Sequence, residues 1–463
     1  MKPKYILIFA LFFWGIAENK AQYSVLFNFN GNDGNAPTGS LTILRGKLFG
    51  MSSEGGLHSD GVLFSIDTNG SAYNDLVDFD GINGKYPEGS LTLLGDKLYG
   101  MTSTGGLNNL GSIFCIDTNG SGINVLHSFN TPSGATPNGN LTALRGKLYG
   151  MTTAGGANLY GCIFSVDTNG SGYKDLFDFN KSNGAFPYGS LSLSGGKFYG
   201  MTRMGGANDT GLIFSIDTNG NGYKDIFDFN GANGAYPFSG SLTASTNKLY
   251  SMTSRGGAHA LGLIFSIDTN GAGYKDIFDF DGINGEYPDG SLTLLGNRLY
   301  GLTFWGGKNG VGLVFCIDTN GVGYRDMFDF SSMFGTNPSC DLTTFRGSLY
   351  GMTYQGGAIN DSGVIFKIDT SLTTSVNEAS KSMGNIALYP NPNSGNFTIS
   401  TQGVSEKTQI IIYNILGEQV YQSSLNAIST QIDLSNKSSG IYLYRILNEN
   451  SDLVSEGKFI IQK

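Results

Sequence analysis

Residues 97–102 read Lys-Leu-Tyr-Gly-Met-Thr, and the related phrase Lys47-Leu48-Phe49-Gly50-Met51 stands fifty residues before it. The period is 50 residues, apart from one step of 51 where Ser239 or a neighbour is inserted. A fixed period of this length is typical of repeat architectures. The phrase occurs seven times, with an apolar residue in its second position each time: Leu48, Leu98, Leu148, Phe198, Leu249, Leu299 and Leu349.

Each repeat contains four short segments with the composition of β-strands. They are represented by Ser90–Leu94, Lys97–Thr102, Ile213–Asp217 and Tyr223–Phe229. These segments are rich in β-branched and aromatic residues, and Gly, Pro, Asn and Asp separate them. The third segment carries apolar residues on both faces, as in Val62–Ile66, which suits sheets stacked against one another. The repeat therefore predicts one four-stranded sheet per unit in an all-β chain.

The two ends of the repeat array complement each other. The first β segment, Tyr23–Phe29, is a fourth-type strand without the preceding three, and the last unit, Asp341–Thr370, lacks its fourth. A ring resolves both defects, because the N-terminal strand completes the last sheet and leaves no open edge. An open solenoid also fits the period but would carry polar caps, and none is visible. The sequence predicts a seven-bladed β-propeller over residues 22–370, closed by its N-terminal strand.

The N-terminus has the composition of a targeting segment. Lys2 and Lys4 precede an apolar run, Tyr5–Ala17, that is too short to span a bilayer. We therefore expect a signal peptide over residues 1–21 and no transmembrane segment.

The composition changes after Asp369. Residues 371–385 are small, polar and non-periodic, which predicts a linker. In residues 386–463 glycine becomes rare, and aliphatic strands such as Gln409–Tyr413 and Gly440–Arg445 alternate with turns. This pattern predicts a small Ig-like β-sandwich.

The repeat motifs resemble a known family. Leu98–Thr102, the pair Gly105-Gly106, Gly111–Asp117 and Leu26–Gly31 together are similar to the GloVer tandem repeats, a bacterial extracellular family expected to form propellers. The resemblance covers about 350 residues and implies no catalytic residues.

The tail resembles the type A C-terminal sorting domain of the type IX secretion system. The resemblance implies export through the type IX machinery, and a secreted or outer-surface location on a Gram-negative bacterium. It rests on a set of motif residues that includes Tyr389, Pro390, Asn391, Pro392, Gly440, Tyr442 and Lys458.

The chain offers little ionisable chemistry. Its net charge of −9 and the absence of a basic stripe argue against nucleic acid as a partner. The three histidines lie in unlike contexts, and no Cys-x-x-Cys occurs. The Asp-Thr-Asn-Gly segment, first at Asp67–Gly70, is repeated six times and indicates a hairpin turn, not a site. We predict no catalytic residue, no metal and no cofactor.

Binding residues are expected where the repeats differ, on the longer loops between the second and third strands. Loops on a rigid scaffold commonly carry binding. Phe304, Trp305, Tyr354, Gln355 and Glu54 come from units that are neighbours in a closed ring, so we expect one aromatic and polar patch suited to a sugar or a peptide. The candidate binding residues are Glu54, His58, Arg203, Arg255, Phe304, Trp305, Tyr354 and Gln355.

Three functions fit this sequence. The first is a non-catalytic surface or secreted protein that binds a glycan or a protein. The second is a carbohydrate-active hydrolase or lyase, which would need paired carboxyl groups at the ring opening; Glu54 is the one propeller glutamate in these loops. The third is a structural protein of the surface or matrix.

Overall fold

The computed structural model describes residues 22–238, 240–370, 385–402, 408–414, 418–425, 429–448 and 453–463. The predicted signal peptide and residues 371–384 of the predicted linker lie outside this part. The chain divides into two compact units at Ser371 and Leu372. The fold is all-β: the described residues contain strands and one 3-10 turn, Thr131–Ser133, and no α-helix.

Among the described residues, the first unit contains six antiparallel sheets of four strands and one of five. Six of the seven sheets take their strands in chain order from one repeat, and the last combines three strands of the final repeat with the N-terminal strand. The sheet that contains β24 has a first strand in two pieces, β22 and β23, and both pair with β24. The strands are β1 (Tyr23–Asn28), β2 (Asn35–Leu44), β3 (Lys47–Glu54), β4 (Val62–Asp67), β5 (Asn74–Asp78), β6 (Thr92–Leu94), β7 (Lys97–Thr102), β8 (Ser112–Asp117), β9 (Asn124–Ser128), β10 (Thr142–Leu144), β11 (Lys147–Thr152), β12 (Cys162–Asp167), β13 (Lys174–Asp178), β14 (Ser192–Ser194), β15 (Lys197–Thr202), β16 (Leu212–Asp217), β17 (Lys224–Asp228), β18 (Thr243–Ser245), β19 (Lys248–Thr253), β20 (Leu263–Asp268), β21 (Lys275–Asp279), β22 (Glu286–Pro288), β23 (Thr293–Leu295), β24 (Arg298–Trp305), β25 (Leu313–Asp318), β26 (Arg325–Asp329), β27 (Thr343–Phe345), β28 (Ser348–Thr353) and β29 (Val364–Asp369).

The glycine of the second strand makes room for an aromatic ring. A Cβ on Gly100 would lie 2.5 Å from Cζ of Phe114, its partner on the adjacent strand. Phe114 is fully buried, so its ring fills the space that the glycine leaves. The glycine therefore serves packing within one sheet, because its third-strand phenylalanine lies directly across from it.

Apolar residues of neighbouring sheets share their cores. One cluster joins Tyr99 and Ile113 of one sheet to Leu148 and Phe164 of the next. The largest cluster joins the last sheet to the first, since it contains Phe366 together with residues of β3 and β4. Burying both faces of each sheet explains why the third strands are apolar throughout.

Hydrogen bonds between the first strands form a closed relay. In each unit a backbone N–H donates to the side-chain oxygen at the same position of the next unit, as from Ser40 to Oγ of Ser90 at 2.6 Å. The last unit returns to the first, because Asp341 N–H donates to Oγ of Ser40 at 2.9 Å. The full set of relay residues is Ser40, Ser90, Asn140, Ser190, Ser241, Ser291 and Asp341.

The N-terminal strand β1 completes the last sheet. It pairs antiparallel with β29, from Tyr23 opposite Ile368 to Asn28 opposite Val364. The ring of Tyr23 stacks on Phe328 with centroids 3.8 Å apart. The predicted pairing of the leading strand with the final sheet is confirmed.

The second unit contains two antiparallel sheets, ordered β30-β31-β34 and β33-β32-β35-β36. They share one apolar core that includes Phe397, Ile412, Tyr442 and Phe459. The first strand begins at Asn385, the last residue of the predicted linker. The strands are β30 (Asn385–Tyr389), β31 (Asn396–Gln402), β32 (Thr408–Asn414), β33 (Gln419–Leu425), β34 (Ser429–Asp433), β35 (Gly440–Asn448) and β36 (Leu453–Ile461).

Candidate functional site

The repeated Asp-Thr-Asn-Gly segments form hairpin turns. Oδ1 of Asp67 lies 3.0 Å from Nζ of Lys47 on the adjacent strand. Oδ1 of Asn69 accepts a hydrogen bond from Ser71 N–H at 3.0 Å, and Gly70 has a φ of +85°. These contacts hold the turn between the third and fourth strands, so the segment is part of the scaffold.

A second repeated aspartate fixes the opposite loops. Oδ1 of Asp78 accepts from Leu57 N–H at 2.6 Å, just beyond the Gly-Gly pair, and Asp178 does the same for Ala157 N–H at 2.6 Å. The loops between the second and third strands are therefore tied to the end of the fourth strand. Differences in loop side chains are presented on a constant backbone.

One pocket of 620 Å³ opens among these loops where the fourth, fifth and sixth repeats meet. Its walls combine the ends of second strands with the segments that precede first strands. The residues that line it are Arg203, Met204, Tyr236, Phe238, Ser254, Arg255, Tyr287, Pro288, Asp289, Phe304 and Trp305.

Arg203 is held against two aromatic rings. Its guanidinium carbon lies 4.9 Å from the ring centroid of Phe238 and 5.6 Å from that of Tyr188, and these two rings stack on each other at 4.7 Å. A cation over an aromatic face is attracted by the ring quadrupole. Nε of Arg203 is buried and has no hydrogen-bond partner.

The other wall of the pocket is an aromatic cluster with a second arginine. The guanidinium of Arg255 lies 5.2 Å from the ring centroid of Tyr287, and Tyr287 meets Trp305 edge to face at 5.1 Å. Phe304 contacts the other side of Trp305 at 5.4 Å. Trp305 remains 43% exposed, so part of its ring is free to contact a ligand.

Asp289 is the carboxyl group of this pocket. Its Oδ2 accepts from Oγ of Ser339 at 2.7 Å, and its Oδ1 accepts from Gly290 N–H at 3.0 Å. Burial, assisted by the nearby charge of Asp341 and opposed by the hydrogen bonds from Ser339 and Gly290, raises the pKa of Asp289 to about 6. The group is thus partly protonated near neutral pH.

A narrower cavity of 120 Å³ is lined by residues from all seven repeats, next to the closed relay. Phe238 lines both this axial cavity and the larger pocket, so the two adjoin. The axial cavity contains Glu88 and Asp341, and burial raises the pKa of both carboxyl groups.

The structure brings four of the eight predicted binding residues into one pocket: Arg203, Arg255, Phe304 and Trp305. The other four lie elsewhere. Oε2 of Glu54 accepts from Nδ2 of Asn35 at 2.9 Å, and His58 is exposed on its loop. Tyr354 is near Glu54 and Glu88, whose charges add to burial in raising its pKa. Gln355 is exposed and pairs through its backbone with Thr336.

Sequence reasoning missed Tyr188, Phe238, Tyr287 and Asp289. Three of them stand directly after the repeat proline. The residue type at this position varies between repeats as strongly as at the loop positions before Gly-Gly. That position reads Thr38, Glu88, Asn138, Tyr188, Phe238, Asp289 and Ser339. Its variability was the available signal.

The motif residues of the tail join the beginning and the end of the second unit. Oδ1 of Asn391 accepts from Ile460 N–H at 2.9 Å, and Asn393 N–H donates to the Ile460 carbonyl at 2.9 Å. The hydroxyl of Tyr442 donates to the Ser438 carbonyl at 2.9 Å. Gly440 begins β35 opposite Ile461, and Lys458 lies in β36. Tyr389 is the last residue of β30, and Pro390 and Pro392 flank Asn391 in the bend that follows.

Neither a metal-binding cluster nor a membrane-spanning helix occurs among the described residues. Within the described ranges, no three His, Cys, Asp or Glu side chains lie together in a way that would hold a metal ion. No helix in the part of the chain that the structure describes is long and apolar enough to cross a membrane.

Two family models match the chain. The Gloeobacter/Verrucomicrobia repeat matches residues 12–208, 117–297 and 192–399, and the secretion system C-terminal sorting domain matches residues 387–462. An ulvan lyase of Nonlabens ulvanivorans is 35% identical over 91 residues, which are 19% of this chain and 16% of that protein. The chain thus spans about a sixth of the curated relative that it matches.

Solved structures show similarity of fold alone. A puromycin-hydrolyzing peptidase of Mycobacterium tuberculosis superposes with a TM-score of 0.50 at 11% identity, covering 83% of this chain and 61% of that one. PorZ, a surface component of the type IX secretion system of Porphyromonas gingivalis, gives a TM-score of 0.47 at 13% identity, covering 95% of this chain and 61% of that one.

Proposed function

The chain belongs to the Gloeobacter/Verrucomicrobia repeat family and ends in a secretion system C-terminal sorting domain, and from this premise we propose that it is a seven-bladed propeller that binds a glycan without transforming it. Both resemblances predicted from the motifs are confirmed by the family models. The sorting domain makes this a secreted or cell-surface protein.

The proposal of seven blades is supported by the succession of sheets. Six four-stranded sheets and one five-stranded sheet follow one another in the described residues, and hydrogen bonds at the start of the first strands run from each sheet to the next. The bond from Asp341 to Ser40 links the last sheet to the first. A closed arrangement of this kind leaves no unpaired inner edge. We propose that residues 22–370 form the ring and that residues 386–463, a small sandwich, direct export by the type IX machinery.

The aromatic wall of the loop pocket carries the proposal of glycan binding. Trp305 is supported by Tyr287 and Phe304, which fix its orientation, and part of its ring faces solvent. A rigid aromatic face packs against the apolar C–H face of a sugar ring, while polar groups beside it bond the hydroxyls. The volume of 620 Å³ falls in the range of small-molecule sites.

The test is binding to an array of bacterial, algal and plant polysaccharides, followed by titration calorimetry of each hit. Trp305→Ala is expected to weaken binding by about tenfold or more, because the lost stacking area forms the wall of the site. Tyr287→Ala is also expected to weaken binding, because its ring packs against Trp305. Tyr86→Ala is its matched control, since Tyr86 occupies the same repeat position outside the pocket. Unchanged affinity of the Trp305 variant would refute this site.

A carbohydrate-active hydrolase or lyase is the second candidate, and Asp289 is the observation that favours it. A buried carboxyl group with a pKa of about 6 can exchange protons near neutral pH. Glu54, the carboxylate proposed from sequence, lies outside the pocket lining. The discriminating experiment incubates the protein with each bound polysaccharide and measures new reducing ends and absorbance of unsaturated sugars. Product formation that Asp289→Asn abolishes would favour an enzyme. The absence of product after many hours would favour a binding protein that does not transform the glycan.

A further inference from the structure

Two arginines of the loop pocket lack acidic partners. Most second strands carry a basic residue that is ion-paired to an aspartate across the sheet, as in Lys147 and Asp167 at 2.5 Å. Within the described residues, no carboxylate lies within ion-pair distance of Arg203 or Arg255. The second-strand pairs of the same repeats, Lys197 with Asp217 and Lys248 with Asp268, are intact, so the two arginines are additional cations that line one pocket without an ion-pair partner.

Arg203 is prepared for an anion. The rings of Tyr188 and Phe238 lie against its guanidinium, and its Nε lies buried without an acceptor. A buried donor without a partner is costly, so the position favours a ligand that supplies the acceptor. A guanidinium presents parallel N–H groups to a carboxylate or a sulfate.

The one carboxyl group in the pocket does not satisfy these cations. Both oxygens of Asp289 accept hydrogen bonds from other groups, Ser339 and Gly290. The other residues of the lining carry no carboxyl group. The described residues therefore supply no anionic partner for the two arginines.

We propose that the ligand of the pocket is an acidic saccharide, whose carboxylate or sulfate group binds Arg203 and Arg255 while the sugar ring packs on Trp305. This inference rests on the proposed function and adds the charge of the ligand. A carboxylate is planar and a sulfate ester is tetrahedral, but both carry a negative charge and offer at least two oxygen acceptors to a guanidinium.

The experiment compares polysaccharides in matched acidic and neutral forms. Pectate and alginate are tested beside their carboxyl-reduced forms, and a sulfated galactan beside its desulfated form, all by calorimetry with the full chain. We expect the acidic form to bind about ten- to a hundredfold more tightly, which is the range of a charge-assisted hydrogen bond, and raised salt to weaken binding. The two acidic series distinguish a carboxylate ligand from a sulfate ligand.

Variants of the arginines complete the test. Arg203→Gln is expected to remove the preference for the acidic form over the neutral form. Arg203→Lys keeps the charge without the fork and is expected to recover part of the preference. Arg145→Gln, an exposed arginine in the turn at the opposite end of its sheet, is the matched control and is expected to have no effect. Thermal melting of each variant separates lost binding from lost folding.

The outcomes distinguish the two proposals. Equal binding of acidic and neutral forms would overturn the inference about charge and leave the glycan-binding function intact. Binding of none of these saccharides would overturn both. Polyglutamate that binds more tightly than every saccharide would identify an acidic peptide site and would also overturn the inference.

Discussion

Ring closure can be tested by the cost of removing one tyrosine. Tyr23 and Tyr223 occupy the same repeat position: Tyr23 stacks on Phe328 at 3.8 Å, and Tyr223 stacks on Phe177 at 4.1 Å. Each hydroxyl donates to a loop carbonyl, that of Tyr223 to Asn183 at 2.6 Å. If the first strand closes the ring, Tyr23 is an interior residue, and Tyr23→Ala should cost as much stability as Tyr223→Ala.

The magnitude follows from the contacts that are lost. Truncating a fully buried aromatic residue costs about 3–5 kcal/mol, and that range includes the stacking, worth about 0.5–1.5 kcal/mol. Both tyrosines are only half-buried, so we expect about 2–3 kcal/mol for each, including about 1 kcal/mol for the hydrogen bond.

The assay is urea unfolding of the chain from Gln22 to Lys463, followed by Trp305 fluorescence and far-ultraviolet circular dichroism. The two variants should agree within about 0.5 kcal/mol in the free energy of unfolding. A Tyr23 variant with the stability of the wild type, beside a destabilised Tyr223 variant, would mean that the first strand contributes nothing in solution and would refute closure.

Three further predictions follow from the same structure. Burial, assisted in each case by a neighbouring aspartate, raises the pKa of four aspartates to about 6: Asp75, Asp175, Asp225 and Asp276. The folded state therefore holds these protons more tightly than the unfolded chain does. Their contribution to stability is present below about pH 4 and is lost as the pH rises through 6. Asp225→Asn should therefore raise the melting temperature at pH 7.5 and reduce its rise between pH 7.5 and pH 5 in calorimetry; an unchanged pH profile would contradict this. Gly139→Ala should lower the free energy of unfolding by about 2 kcal/mol or more in urea titrations, because its Cβ would lie 2.3 Å from the Gly189 carbonyl oxygen beside the axis; a wild-type midpoint would show that the first strands lie farther apart than described. Deleting residues 386–463 should leave the protein in the periplasm of a strain that has the type IX system. A fluorescent protein that carries residues 1–21 and this tail should reach the cell surface or the medium. Cell fractionation checks both expectations, and export of the truncated chain would contradict the role of the tail.

The fold could be predicted from the sequence because the same strand and turn preferences recur in every repeat. The phrase Lys97–Thr102 is a buried strand, and the unmatched segments at the two ends predicted the pairing of β1 with β29. The role of Gly100 was not accessible, since a pattern does not show whether a backbone or the ring of Phe114 occupies the space beside a glycine. The site was half accessible. Four residues of the pocket could be predicted because they differ from the residues at the same positions of other repeats: Arg203, Arg255, Phe304 and Trp305. The prediction was incomplete because it used the variable loop positions before Gly-Gly and not the variable position after the proline.

The pocket arises where two variable positions are bulky in the same repeats. In the second and third repeats, the residue before Gly-Gly is Thr104 or Ala154, too small to form a wall. In the fifth and sixth repeats it is Arg255 or Trp305, which line the pocket together with Phe238 and Asp289 from the position after the proline.

The backbone of these loops is held in five units by a repeated aspartate, as by Asp228 on Ala207 N–H at 2.7 Å, and in the other two by Ser128 and Asn28 at the same position. The scaffold therefore does not depend on which side chains stand at the variable positions. Replacing Arg203 by Ser, the residue that stands at its position as Ser53 and Ser103 in other repeats, removes the anion-binding group while leaving these loop bonds in place. The Ser variant should consequently lose the preference for an acidic ligand and keep the stability of the wild type. If the arginine were part of the scaffold, its replacement would lower the stability as well.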